Sequence, residues 1–320
     1  MGNRELKRRY LIVSFLLLGL QIISVHGTYA QDMSATVPMI KLNNGLEMPQ
    51  LGIGTFAIPT QEIAKEACLE AFRNGFRHVD AAHVYRVERV LGEAMIESGI
   101  PREEFWIASK LWPSDYANGN TLESIDKMLE RLQTTYIDLL YIHQPIGDYV
   151  SAWKAMEKAV EAGKVRSLGI SNFDATDEGF RAIVDGMKIK PVALQIECHP
   201  YAQRQDIREK IKPYGIILEC WYPLGHGNEE LLSDPAIKTI ADAHNKSIAQ
   251  VILRWHTQEG FSVIPGATDP NHIRENIRIF DFTLSDAEMG VMRSLNKDQR
   301  FYNVPIEQLE RMISNMVLED

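Results

Sequence analysis

Asp80, Tyr85, Lys110 and His143 close or follow three successive apolar runs of this chain. Asp80 ends Gly75-Phe76-Arg77-His78-Val79-Asp80, and Tyr85 comes five positions later in Ala81-Ala82-His83-Val84-Tyr85. Lys110 ends Phe105-Trp106-Ile107-Ala108-Ser109-Lys110, and His143 ends Tyr136-Ile137-Asp138-Leu139-Leu140-Tyr141-Ile142-His143. A charged group at the end of such a run has left a core and reached its rim. The four supply a weak acid, a cation to tune it, a carboxylate to tune the cation, and a hydrogen-bond donor. Such a set suits proton delivery to an oxygen that gains negative charge when a carbonyl carbon is attacked. A tyrosine hydroxyl is a poor acid near its reference pKa of about 10, so an adjacent ammonium is expected to lower it.

The elements that position these residues alternate along the chain. Asn43-Asn44-Gly45 between short apolar runs signals a hairpin. Strands are expected at 50–54, 76–80, 105–110, 137–143, 165–170, 192–196, 216–221 and 261–264. Helices are expected at 61–74, 88–97, 121–132, 149–161, 178–184, 205–212, 235–244 and 248–258, then at 272–277 and 286–295 ahead of a tail. Ile63, Ala67, Leu69 and Phe72 mark the inward face of the first helix, with Gly75 as its stop. Thr121 is the expected N-cap of its helix, with Leu122, Ile125, Met128, Leu129 and Leu132 on one face. Eight strand–helix units imply a parallel sheet closed into an α/β (β/α)8 TIM barrel, with an N-terminal β-hairpin cap and an extra C-terminal helix and tail. In such a barrel the strand C-termini carry the chemistry.

Composition fits a soluble globular chain. The 320 residues are 45% hydrophobic and 24% charged, with a net charge of −9 and no basic stripe, so nucleic acid is not an expected partner. Cys68, Cys198 and Cys220 form neither a disulfide framework nor a metal-ligand spacing and read as buried small residues. The N-terminus departs from this profile. Arg4, Lys7, Arg8 and Arg9 precede an uncharged, largely apolar stretch from Tyr10 to Val25, and Thr28-Tyr29-Ala30 offers small residues for cleavage before Gln31. Residues 1–30 therefore read as a secretory signal peptide, or as an N-terminal anchor if the stretch is retained. Export or membrane anchoring follows, periplasmic in a bacterium, and a cytoplasmic location if the signal does not function. Membrane contact is expected only if residues 10–25 stay as an anchor. The remaining domain is expected at 38–320, as a monomer.

Several motifs closely resemble the aldo-keto reductase family, in particular its bacterial 2,5-diketo-D-gluconate reductase-like type. They are Gly75-Phe-Arg-His-Val-Asp-Ala-Ala-His-Val-Tyr85, Ser109-Lys-Leu-Trp112, Asp138-Leu-Leu-Tyr-Ile-His143, Gly169-Ile-Ser-Asn-Phe173, Gln195-Ile-Glu-Cys-His-Pro-Tyr201, Pro223-Leu-Gly225 and Glu275-Asn276. The resemblance spans about residues 38–300. It implies the same barrel, and reduction of aldehydes or ketones to alcohols by hydride from a nicotinamide cofactor. It also implies Tyr85 as proton donor, Lys110 and Asp80 as its tuning pair, and His143 as the carbonyl-orienting residue.

No Gly-x-Gly-x-x-Gly lies between a strand and a helix, since Gly52-Ile-Gly54 lacks the third glycine, so a Rossmann site is unsupported. The resemblance instead implies an extended dinucleotide across the barrel mouth. Ser171, Asn172 and Gln195 would hold the carboxamide, Trp221 would stack on the nicotinamide where a tyrosine is usual, and Leu224 and Gly225 would lie along the pyrophosphate. Glu275 and Asn276 match the adenine contacts. At the 2′-phosphate, however, Gly266 stands for the family's lysine, Ala267 for its serine and His272 for its arginine. Losing both cations weakens selection for NADPH, so NADH use is expected, at least alongside NADPH. Asp269 would add repulsion if it pointed inward, and Arg274 would compensate. The resemblance lines the substrate pocket with Phe56, Trp112, His143 and the tail, Phe301 and Tyr302 included. Gln144 replaces a frequent tryptophan and hints at a polar or hydroxylated substrate, although an amide there can equally face solvent. Val87 replaces a common asparagine before Glu88.

Two other classes compete. A metal-dependent barrel hydrolase would use His78, Asp80, His143 and His199, but it wants His-x-His on the first strand, and Lys110 would repel a cation. A non-catalytic cofactor-binding barrel would not need all four rim residues.

Overall fold

The computed structural model describes residues 36–313, 316 and 318. The export-type segment at 1–30 lies outside the described residues. Among those described, no helix is long and apolar enough to cross a membrane.

Strands β1 (Met39–Lys41) and β2 (Glu47–Pro49) form the antiparallel hairpin. Its turn closes with Leu42 N–H donating to Leu46 O at 2.8 Å and Gly45 at φ 88°, a backbone conformation that favours glycine. Leu42 and Met48 pack on Trp106, Ala108, Leu139, Tyr141, Val192 and Ala193, so the hairpin covers one end of the barrel.

Eight parallel strands follow: β3 (Ile53–Gly54), β4 (His78–Asp80), β5 (Trp106–Leu111), β6 (Leu139–Ile142), β7 (Leu168–Ser171), β8 (Ala193–Glu197), β9 (Ile217–Trp221) and β10 (Ser262–Val263). Each pairs with its sequence neighbour. The sheet then closes on itself: Gly52 N–H donates to Val263 O at 2.9 Å, Val263 N–H to Gln50 O at 3.0 Å and Gly54 N–H to Pro265 O at 3.1 Å. Glycine is required at this seam, because a Cβ on Gly54 would sit 2.9 Å from Ile264 O. The (β/α)8 barrel with its hairpin is therefore as expected.

Most helices begin with a side-chain cap. Thr60, Asp148, Thr176, Asp234, Ser247 and Ser285 each accept a first-turn N–H. Three local expectations fail. Thr121 is not a cap; it is the first residue of the helix Thr121–Leu132 and is buried, while Asn120 holds the cap position. The buried stripe is Thr121, Ile125, Met128, Leu129 and Leu132, which leaves Leu122 about a quarter-turn outside and 40% exposed. Ile63 is likewise turned out, with Ala64, Ala67, Cys68, Leu69, Ala71 and Phe72 buried in its place. The tail folds into a further helix, Ile306–Ile313, whose Ile313 packs on Trp112 and Ile146 beside the barrel rim.

Candidate active site

The four strand-end residues meet at one rim. Lys110 is fully buried on β5, and its Nζ donates to Asp80 Oδ2 at 2.6 Å and to Ala81 O at 2.9 Å. The same ammonium lies 4.8 Å from the Tyr85 ring centroid. Tyr85 is held by the short turn His83–Tyr85 that follows β4. The His143 ring meets the Tyr85 ring edge-on at 5.6 Å and the Trp112 ring at 4.9 Å. Phe56 is half exposed and packs edge-on against Tyr85 at 5.1 Å.

The electrostatics differ from the expectation in one respect. Burial, with the negative charge of Asp80 nearby, pushes the Tyr85 hydroxyl well above the ordinary tyrosine value instead of lowering it. Desolvation is the largest cause, and Asp80 and Tyr222 act in the same direction. Burial and the Lys110 charge hold His143 well below the ordinary histidine value, so its imidazole is neutral. Burial also pushes the Asp80 carboxyl up, opposed by Lys110.

Sequence reasoning missed the carboxylate beneath this group. Glu219, on β9, is fully buried. It accepts from Tyr141 Oη at 2.7 Å, Ser262 Oγ at 2.9 Å and Gln195 Nε2 at 2.6 Å, and lies 3.6 Å from His78 Nε2. A charged residue between Leu218 and Cys220 in an otherwise apolar strand was the available signal.

The expected cofactor residues form one interlocked group. Asn172 has a left-handed backbone (φ 63°), and its Nδ2 donates to His143 O at 3.0 Å and Ser171 Oγ at 3.1 Å. Its Oδ1 accepts from Trp221 Nε1 at 3.3 Å, and Ser171 Oγ donates to Gln195 O at 3.1 Å. Gln195 Nε2 donates to Asp80 Oδ1 at 2.7 Å as well as to Glu219. The donors of the trio are thus spent on one another and on His143 O, Asp80 and Glu219, and the valences that remain are acceptors, Gln195 Oε1 first among them. Acceptors suit the NH₂ of a carboxamide, so the residues present fit that part of a nicotinamide. Trp221 is half-buried, with Tyr222 and Tyr302 standing edge-on to it at 4.7 and 5.6 Å.

Gly225, at φ 62°, has no room for a side chain: a Cβ would lie 2.7 Å from the Phe301 ring. The buried Glu197 carboxylate accepts from Phe301 N–H at 2.6 Å, and the Phe301 ring stacks on His199 at 4.4 Å. These contacts bring Phe301 and Tyr302 to the Gly225 and Trp221 side of the rim. Leu224 packs against the core.

The adenosine end is open. Gly266 and His272 are exposed. Asp269 does not point inward; it caps the helix Pro270–Ile277, accepting from Asn271 N–H at 2.7 Å. Arg274 is already engaged, by Glu70 Oε1 at 2.9 Å and Asn271 Oδ1 at 2.6 Å. Glu275 is half-buried and Asn276 buried. On the substrate side Gln144 is 7% exposed, so it does not face bulk solvent as an exposed amide would. Among the described residues, the grouping of potential metal ligands is Cys198, Cys220 and His256. Both His256 ring nitrogens already meet backbone carbonyls, Ile252 O at 2.7 Å and Cys198 O at 3.1 Å.

A closed parallel barrel with a buried lysine–carboxylate pair under a rim tyrosine and histidine defines a class of carbonyl-reducing barrel enzyme. Comparison with known proteins agrees. The Aldo/keto reductase family model matches residues 50–297. Glyoxal reductase of Bacillus subtilis is 42% identical over 84% of this chain and 97% of its own. Morphine 6-dehydrogenase of Pseudomonas putida is 38% identical over 84% of this chain and 94% of its own. The structure of an aldo/keto reductase from Brucella melitensis superposes with TM-score 0.77 and 39% identity, covering 82% of this chain and all of that one. A Bombyx mori aldo-keto reductase solved in complex with NADP gives TM-score 0.79 at 29% identity, over 84% of this chain and 96% of that one. The chain belongs to the aldo/keto reductase family and is an NAD(P)H-dependent oxidoreductase acting on carbonyl groups.

Proposed function

We propose that this protein reduces small polar aldehydes or ketones, with Tyr85 as the proton donor and NADH accepted at least alongside NADPH. The observation that carries the reading is the stack of Asp80, Lys110 and Tyr85, with the ammonium 2.6 Å from the carboxylate and 4.8 Å from the phenol ring. A bound nicotinamide supplies the hydride. As negative charge develops on the substrate oxygen, the Tyr85 hydroxyl gives up its proton. An alkoxide is a stronger base than a phenolate, so a raised tyrosine pKa does not prevent the transfer. Lys110 stabilises the phenolate left behind, and Asp80 keeps Lys110 charged and in place. Neutral His143 has an N–H to offer the carbonyl oxygen and carries no charge that would compete for the proton.

Ser171, Asn172 and Gln195 would hold the carboxamide, Trp221 the ring, Leu224 and Gly225 the pyrophosphate, and Glu275 and Asn276 the adenine. Gly266 and His272 in place of cations support use of NADH; a preference for NADPH above about a hundredfold, some 2.7 kcal/mol, would refute that. Phe56, Trp112, His143 and Gln144 would line the substrate pocket. The buried amide of Gln144 supports a hydroxylated or second-carbonyl substrate, in keeping with the glyoxal reductase relative. The charge order of residues 4–30 supports export or anchoring, which alkaline extraction of membranes from expressing cells would test; recovery of full-length chain in the soluble cytoplasm would refute it.

The decisive experiment follows the loss of reduced-nicotinamide absorbance with a panel of aldehydes, for the parent and Tyr85→Phe. Activity is expected to fall about 10²–10⁴-fold, the range for a lost general acid, with the melting temperature retained. Undiminished turnover in Tyr85→Phe would overturn the assignment.

A further inference from the structure

We propose that Glu219 is a positioning residue for the reduction, acting through Gln195 to fix how the site receives its dinucleotide. The inference rests on the reading that Gln195 meets the carboxamide. A Gln amide has two N–H hydrogens and one acceptor oxygen. Both hydrogens of Gln195 go to carboxylates, Asp80 Oδ1 at 2.7 Å and Glu219 Oε2 at 2.6 Å. An ionised carboxylate only accepts, so the amide has one satisfactory orientation, with Oε1 turned away from both. Without such partners the terminal torsion of a Gln is broad and nearly two-fold, and the oxygen and NH₂ exchange places at little cost.

Glu219 is itself immobilised. Tyr141 Oη and Ser262 Oγ donate to its two oxygens at 2.7 and 2.9 Å, and His78 Nε2 lies 3.6 Å away, all in the fully buried barrel interior. It stands two residues before Trp221 on β9 and touches Gln195 of β8 directly. Its negative charge also raises Asp80, which ties the same carboxylate to the Lys110 pair. Glu219 thus links the two halves of the site, the dinucleotide cradle and the proton-delivery group, from below the rim.

The test is a tryptophan-fluorescence titration of the full chain with NADH and with NADPH. The proteins are the parent, Glu219→Leu, Gln195→Ala, their double variant and Glu219→Gln. Glu219→Leu removes the acceptor and is expected to weaken binding about tenfold; Gln195→Ala should match it, and the double variant should bind no worse than Gln195→Ala alone. Glu219→Gln keeps an oxygen that accepts from Gln195 and should recover binding to within about threefold of the parent. The dinucleotide KM should follow the titration, with kcat changed less. If Glu219→Leu does not fold, Glu219→Ala, which leaves room for water, carries the same comparison. A double variant about tenfold weaker than Gln195→Ala would show Glu219 acting independently and overturn the inference alone. Parent-like binding by Gln195→Ala would overturn the carboxamide reading, and the inference with it.

Discussion

Placing cations at Gly266 and His272 should turn the cofactor preference towards NADPH by a calculable amount. Gly266 is exposed, and a Cβ there would meet Gly54 O at 3.6 Å, ordinary van der Waals contact. A lysine therefore fits without moving the barrel seam. His272 is exposed in the first turn of the helix Pro270–Ile277, so an arginine there also has open space. Each new cation would make a charged hydrogen bond to a 2′-phosphate. Because both positions are exposed, the low end of the usual range applies, about 1.5 kcal/mol each. Two such bonds give about 3 kcal/mol, or roughly 150-fold in relative affinity. Asp269 works against this. Its carboxyl is held below the ordinary value by the Asn271 N–H and stays charged at the same helix start. The assay is kcat/KM for NADPH and for NADH with one aldehyde, in the parent and in Gly266→Lys/His272→Arg. The ratio should rise about a hundredfold, carried mainly by a lower KM for NADPH, with NADH kinetics nearly unchanged. A ratio that moves less than about threefold would mean that the 2′-phosphate does not lie at these positions.

The pH dependence of kcat/KM should show a long plateau. Tyr85 is raised, so its proton is retained to higher pH, and reduction should be lost only above about pH 10. His143 is lowered, so no acid limb from it is expected until well below about pH 6.5; a limb near that value would refute its neutrality. Asp80→Asn should cost about 3–5 kcal/mol in urea unfolding, because Lys110 is left fully buried without its partner; a loss under about 1 kcal/mol would show that the ammonium has another counter-charge. Gly225→Ala should cost about 1–2 kcal/mol for its left-handed backbone and displace Phe301, visible as a rise in dinucleotide KM; an unchanged KM would separate this loop from the cofactor site.

The barrel was legible because each of its eight units announces itself locally. Apolar runs such as Ile107-Ala108-Ser109-Lys110 end in a polar residue, helices begin at Thr60, Asp148 or Ser247, and glycines such as Gly75 and Gly99 stop them. The rim quartet was legible for the same reason, since a charge at a strand end leaves the core. What stayed hidden depends on contacts between distant segments. Thr121 enters the core and Asn120 takes the cap position, a choice that depends on burial against other segments and not on the local residues. The direction of the Tyr85 shift is decided by residues distant in sequence, which half-bury the ring, desolvate its hydroxyl and set the Asp80 charge near it. Asp269 reads as a repulsive charge until its bond to Asn271 N–H makes it a helix cap.

Glu219 shows the limit most directly. A buried carboxylate costs several kcal/mol unless its oxygens are paired, and nothing adjacent in sequence pairs this one. Its partners come from three other strands: Tyr141 of β6, Gln195 of β8 and Ser262 of β10. Gln195 and Ser262 stand opposite Glu219 on the two strands that flank β9, whereas only closure brings Tyr141 across the interior to it. In an open sheet β10 and β6 would lie four strands apart with no shared interior to meet in. Closure therefore does more than complete the fold: it adds the Tyr141 bond that helps hold the carboxylate orienting Gln195. Gln195 in turn joins Asp80 to the cradle of Ser171, Asn172 and Trp221. Mutations that loosen the seam at Gly52, Gly54 and Val263 should accordingly weaken dinucleotide binding before they unfold the chain.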